Sequence, residues 1–274
     1  MKTLFRVLAF APLPVLHALG AVMGWLSFVA SPTYRRRFIE NARQAGFALG
    51  QVRGAIAESG KLVAEAPRLW FGGPVRIEWE NQACIEAALA RGKGIVFLTP
   101  HLGCFEVSAQ AYALRYGRIT VLYRPARKAW LRDLVDTARG RSNLATAPTT
   151  LMGIRQMLKA LKAGEAVGLL PDQVPPKGMG EWAGFFGRDA YTMTLPARLA
   201  QQTGATIVLA WAERLPWAGG YRVHLREWTD DVSRDGAVAA GQVNACMETL
   251  IRECPGQYLW GYARYKAPRA EAVV

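Results

Sequence analysis

The stretch that most constrains this chain is Gly94 to Gln110, GIVFLTPHLGCFEVSAQ. Its first six residues, Gly94 to Thr99, are a short apolar run rich in β-branched and aromatic side chains, with Gly92-Lys93 before it and Pro100 after it. Such a run predicts a strand buried on both faces of an α/β sheet. Pro100 disfavours helical backbone at Thr99. From about Gly103 the spacing of Phe105, Val107, Ala109, Tyr112 and Ala113 predicts a helix. His101 therefore falls at the carboxyl end of a strand and the mouth of a helix, where open α/β sheets bind ligands.

Glu106 follows His101 by five residues. On one continuous helix the two would lie about 140° apart. They meet only if His101 is on the turn and Glu106 in the helix's first turns. A carboxylate on one imidazole nitrogen fixes the tautomer and leaves the other nitrogen as a general base. The same spacing fits a capping histidine followed by an ordinary glutamate favourable to the helix dipole.

The layout repeats. Arg118 to Tyr123 reads as a second strand, followed at once by Arg124, and Ala166 to Leu170 as a third, ending in Pro171 and Asp172. In a parallel sheet the three carboxyl ends share one rim, which brings together a base, a cation and a carboxylate. The remaining pattern predicts helices over 38–69, a strand over 75–80 and a helix capped by Asn81. Further helices are predicted over 128–138, from Thr149 or Thr150 onward, over 194–203 and over 237–254, with strands over 205–213 and 221–227. His224, on the last strand, reads as an ordinary sheet residue. Residues 139–150 read as a polar loop. The Gly/Pro-rich segment Gln173 to Tyr191, with Trp182, Phe185 and Phe186, reads either as a lid beside the rim or as a connector with its aromatics in the core.

The 274 residues suffice for one α/β domain with a full core. The formal charge of +13, from 34 Lys and Arg against 21 Asp and Glu, implies an anionic partner. No helix-turn-helix, zinc-finger or RNP-like signature points to nucleic acid, which leaves an anionic membrane or an acidic substrate or carrier. Cys84, Cys104, Cys246 and Cys254 form no CxxC pair and read as reduced thiols, Cys104 in a packing role. The double-histidine spacing of a helical zinc site is missing from HLGCFE, so no metal is expected there.

Val7 to Ala30 carries no charged residue, long enough to cross a bilayer's hydrocarbon core. Pro12 and Pro14 also allow a helix lying in the interface, and a buried core helix is the soluble alternative. Arg35, Arg36 and Arg37 follow and should stay on the cytoplasmic side. Residues 1–34 are thus expected to be a membrane anchor and 35–274 a single catalytic domain.

At TPHLGCFE the chain resembles the late (secondary) acyltransferases of lipid A biosynthesis, a family marked by a histidine, four residues and an acid. The likeness continues through LYRP at 122–125, LLPDQVPPKGMG at 169–180, FFGRDAYTMTLPARLAQQTGA at 185–205 and YLWGYARYK at 258–266. Where members often carry Trp-x-His-x-Arg in the tail, this chain has Tyr262 between Trp260 and Arg264. The resemblance implies a mostly parallel sheet flanked by helices, as in glycerol-3-phosphate acyltransferases. It also implies transfer of a fatty acyl chain from acyl carrier protein to a hydroxyl of a lipid A precursor at the cytoplasmic face of the inner membrane, with no cofactor. His101 would be the base and Glu106 its partner, with Arg124 and Asp172 beside them. Arg124 or backbone N–H groups near Gly103 would hold the oxyanion. Gly103, Gln173, Lys177 and Arg188 would meet substrate, the two cations on lipid phosphates. Acylation of another acceptor, such as a lysophospholipid, and a non-catalytic basic adaptor are the competing readings.

Overall fold

The computed structural model of the protein describes residues 2–123 and 143–269. Its centre is a seven-stranded sheet in the order β1-β9-β8-β2-β5-β3-β4. The strands are β1 (Ile77–Glu80), β2 (Ile95–Leu98), β3 (Ile119–Tyr123), β4 (Leu144–Pro148), β5 (Ala166–Leu169), β8 (Thr206–Arg214) and β9 (Tyr221–Glu227). β8, β2, β5, β3 and β4 run parallel; β9 is antiparallel to β8, and β1 is parallel to β9. All four residues of β2 and of β5 are buried. Helices cover both faces of these central strands, which is why they read as unbroken apolar runs.

The strand pleat sends alternate side chains into two cores. Val96, Leu98, Ile207 and Leu209 join one, with Phe38, Ile56, Met157 and Val243. Ile95, Phe97, Val208 and Ala210 join the other, with Ile85, Val107 and Tyr112. The covering helices are α1 (Lys2–Leu8), α2 (Leu13–Ala30), α3 (Pro32–Gln44), α4 (Leu49–Val52), α5 (Gly54–Phe71), α6 (Ala83–Ala90), α7 (Phe105–Arg115), α8 (Leu151–Lys162), α9 (Leu195–Thr203) and α10 (Gly236–Glu253). Thr150 caps α8 by accepting from the Gly153 N–H.

Three expectations need correction. The polar loop after 139 contains β4, an edge strand of small residues whose alternation is too weak to read as a strand. Asn81 takes a left-handed backbone (φ 60) and donates to Leu225 O, and Gln82 is the residue that precedes α6. Within the segment from Gln173 to Tyr191 lies a hairpin, β6 (Gly180–Phe185) with β7 (Arg188–Met193). Its turn at Phe186-Gly187 has positive φ at both residues, the geometry that matches strand twist. Phe185 and Phe186 are buried in the first core, so the connector reading holds for them, while Trp182 stays exposed. The expected helix over 128–138 lies outside the described residues.

Candidate active site

Leu98 of β2 is in register with Leu169 of β5, and His101 and Asp172 each lie three residues past that pair. Two parallel neighbours leaving the sheet together therefore deliver a histidine and an aspartate to one point on the rim. Asp172 accepts two hydrogen bonds from His101, one oxygen from the main-chain N–H at 2.9 Å and the other from ring Nδ1 at 2.7 Å. Asp172 is buried, and burial pushes its carboxyl up. The attraction to the imidazolium form of His101 and the two hydrogen bonds from His101, with the Arg264 guanidinium nearby, outweigh burial and hold it below its ordinary value. An ionised Asp172 assigns the ring proton to Nδ1 and leaves the Nε2 lone pair as an acceptor. In the resting structure the Gln173 amide donates to that nitrogen at 2.9 Å.

His101 faces a cavity of about 350 Å³. Phe105, edge-on to the imidazole with centroids 4.9 Å apart, forms one wall, and Leu122, Ile154, Met193, Leu195 and Tyr262 supply much of the rest. The lining is mainly apolar, with His101, Gln173, Thr149 and Lys266 among its polar groups. An imidazole with one nitrogen held by a carboxylate, in the wall of a mainly apolar cavity, suits proton transfer at the head of a long hydrocarbon.

The sequence decides the family. A family model described as bacterial lipid A biosynthesis acyltransferase matches residues 52–267. The chain belongs to the bacterial lipid A biosynthesis acyltransferases. It is 26% identical over 271 residues to the lipid A biosynthesis palmitoleoyltransferase of Escherichia coli strain K12, covering 93% of this chain and 86% of that protein. Identity to the lipid A biosynthesis lauroyltransferase of the same strain is 30% over 220 residues, covering 78% and 71%. A lipid A biosynthesis acyltransferase of Haemophilus influenzae is 25% identical over 187 residues, covering 68% and 58%.

In this lipid A acyltransferase family member, the residues expected at the site fall in different places. His101, Asp172 and Gln173 converge as described. Glu106 stands in the first turn of α7, as its spacing predicts, but accepts from Trp70 Nε1 at 3.4 Å. The carboxylate on the His101 ring is Asp172. The reason is topological: β5 delivers its end directly beside β2, ahead of anything α7 supplies. Gly103 adopts φ +59 in the turn, where a Cβ would collide with Ala212 O. Its N–H donates to Gln257 O at 3.0 Å and that of Cys104 to Ala212 O at 2.8 Å, so neither is available to an oxyanion. Arg124 lies outside the described residues. Lys177 and Arg188 are exposed and do not line the cavity; the Arg188 guanidinium sits over the Tyr265 ring at 4.6 Å.

The C-terminal segment contributes what sequence reasoning did not assign. Tyr262 lines the cavity and accepts from the Val174 N–H at 3.0 Å, and Lys266, also at the cavity, lies over the Tyr262 ring. Buried Arg264 donates to Tyr191 O, Thr192 Oγ1 and Asn244 Oδ1. Burial lowers its pKa while neighbours including Tyr258 and Asp172 oppose that. Burial first, and the adjacent Asp172 carboxylate second, push the Tyr258 phenol well above its ordinary range, so it stays protonated. The aromatic and basic run YLWGYARYK was the available signal.

Proposed function

We propose that this acyltransferase moves a fatty acyl chain from the thioester of acyl carrier protein to a hydroxyl of a lipid A precursor, at the cytoplasmic face of the inner membrane. The observation that carries the reading is the His101 imidazole, oriented through Nδ1 by buried Asp172, with Nε2 turned to an apolar cavity. The acceptor hydroxyl displaces the Gln173 amide from Nε2 and gives its proton to that nitrogen as its oxygen attacks the thioester carbonyl. Asp172 stabilises the imidazolium so formed. The tetrahedral oxyanion is held by the displaced Gln173 amide and, on this reading, by Arg124. Collapse breaks the carbon–sulfur bond, and the thiolate takes the proton back from Nε2. The cavity receives the acyl chain, and Lys266, Lys177 and Arg188, all in or against the C-terminal segment, offer cations to acceptor phosphates. The net charge of +13 favours encounter with the acidic carrier.

His101→Ala, assayed with acyl carrier thioester and detergent-solubilised lipid A precursor, should lose at least about a hundredfold in rate. Near-normal transfer would remove the reading. A second acceptor class is favoured by one observation, the presence of Tyr262 in the cavity wall where the resemblance leads one to look for histidine. Mass spectrometry of lipids from a deletion strain separates the two, since loss of an acyl group from lipid A and loss from another glycerolipid or glycolipid give different masses.

A further inference from the structure

By length and composition α2 qualifies as a membrane span, an 18-residue helix without a charged side chain. The packing around it points elsewhere. His17 Nε2 meets Glu65 of α5 at 2.9 Å. The backbones of Gly20 and Gly24 lie against those of Gly60 and Ile56, close enough that a Cβ at any of the three glycines would collide with main chain. Phe28 enters the first core edge-on to Phe38 of α3, with centroids 5.5 Å apart. Ahead of α2, Phe5 packs on Trp70 and Phe71, and Arg68 donates to Ala9 O. Behind it, Arg35 donates to Phe28 O and Val29 O. The helix is fixed to the body before, along and after its length.

α5 cannot accompany α2 across a bilayer. It carries Glu58, Lys61, Glu65 and Arg68, and its remaining face packs on the sheet, where Arg214 of β8 pairs with Glu65. Charges at that density are not carried through hydrocarbon. The outward face of α2 has the opposite character: Val15, Leu19, Val22, Met23, Leu26 and Val29 are exposed, and its polar residue, Ser27, satisfies its hydroxyl on Met23 O. Beside the end of this stripe, α3 exposes Arg36, Arg37 and Arg43. An apolar band flanked by cations has the profile of one leaflet, acyl chains bordered by phosphates.

We propose that α2 lies in the plane of the anionic cytoplasmic leaflet and does not cross the bilayer, with its outward stripe among the acyl chains and the α3 arginines on headgroup phosphates. This takes the membrane association of the preceding reading and adds how the helix sits. It also aims the cavity: Asn41 of α3 donates to Trp260 O and Tyr262 O, so the wall bearing Tyr262 is held by the helix that touches the headgroups.

The test uses the full chain with a protease-cleavable tag at each end, in spheroplasts and in sealed inside-out vesicles. Both tags should be cut only in inside-out vesicles. An N-terminal tag cut only in spheroplasts, or a chain recovered in the soluble fraction, overturns the proposal; activity retained in detergent then shows that acyl transfer stands without it. Replacing Leu19, Val22 and Leu26 together by Gln should leave the melting temperature in place and release the protein from membranes. Unchanged membrane recovery, including recovery with a change only in oligomeric state, overturns it. Arg36→Gln, Arg37→Gln and Arg43→Gln combined should weaken binding to phosphatidylglycerol-containing vesicles by roughly a hundredfold, about fivefold per charge, and leave phosphatidylcholine binding alone. Equal loss on both vesicles counts against headgroup contact.

Discussion

Asp172 binds His101 at two points, and the main-chain contact matters as much as the ring contact. A carboxylate on Nδ1 alone would set the tautomer. A carboxylate that also holds the His101 N–H fixes where the turn after β2 places the ring. Asp172→Asn preserves the shape and can still accept from the main chain, but it lacks the charge that favours imidazolium and can hold the ring in the wrong tautomer. Steady-state acyl transfer by this variant should fall by about 10³ to 10⁴ in kcat, with thermal melting close to the parent. A loss below about tenfold would remove Asp172 from the mechanism. The shared rim is legible in sequence, since the strand ends place His101 and Asp172 together, but that Asp172 and not Glu106 meets the ring is not. His101 and Asp172 are 71 residues apart, whereas Glu106 is local, and spacing rewards local partners. Only the sheet order, with β5 inserted between β2 and β3, reveals the neighbour.

Elements were more legible than contacts. β2, β5 and β9 follow from their apolar runs or alternation, and Thr150 marks the start of α8 as a capping residue should. The β6–β7 hairpin was obscured because its turn is Phe186-Gly187, without the Asn-Gly or Asp-Gly signal, and its aromatics suit a lid as well as a core. The seam between α2 and α5 is equally hidden, since Gly20, Gly24 and Gly60 are spaced for close helix approach only once the two helices are known to be partners. At Gly60 a Cβ would run into Gly20 O and the Gly24 backbone, so neither helix can yield without separating. Gly60→Ala should therefore destabilise by about 1–3 kcal/mol, a fall of roughly 2–5 °C in melting temperature for a chain of this size. Gly50→Ala, where a Cβ meets nothing, is the matched control in the same thermal-shift measurement.

Across the whole molecule, one buried charge cluster joins the N-terminal helices to the sheet. Arg214 donates to both oxygens of Glu65 and to Glu58, Tyr221 donates to Glu65 at 2.8 Å, and His17 completes the set. Glu65 and Arg214 are buried, and Cys104, at the turn that carries His101, lies against them. Burial pushes the Glu65 carboxyl up, yet Arg214, with the hydrogen bonds around it, pulls it from 4.5 down to about 2. The folded value lies below the unfolded one, so the cluster's contribution is complete above about pH 4.5 and disappears as pH falls toward 2. That interval corresponds to about 3 kcal/mol. Glu65→Gln leaves the Arg214 guanidinium buried opposite a neutral amide, which should cost about 3–5 kcal/mol at neutral pH. Denaturant titrations in detergent across the acid range should then show the two proteins converging as pH falls, because only the parent has this carboxylate to protonate. A gap that stays constant from neutral pH down to pH ~2 would mean that Glu65 is not held ionised by Arg214, and that shape, not charge, fastens α2 and α5 to the sheet.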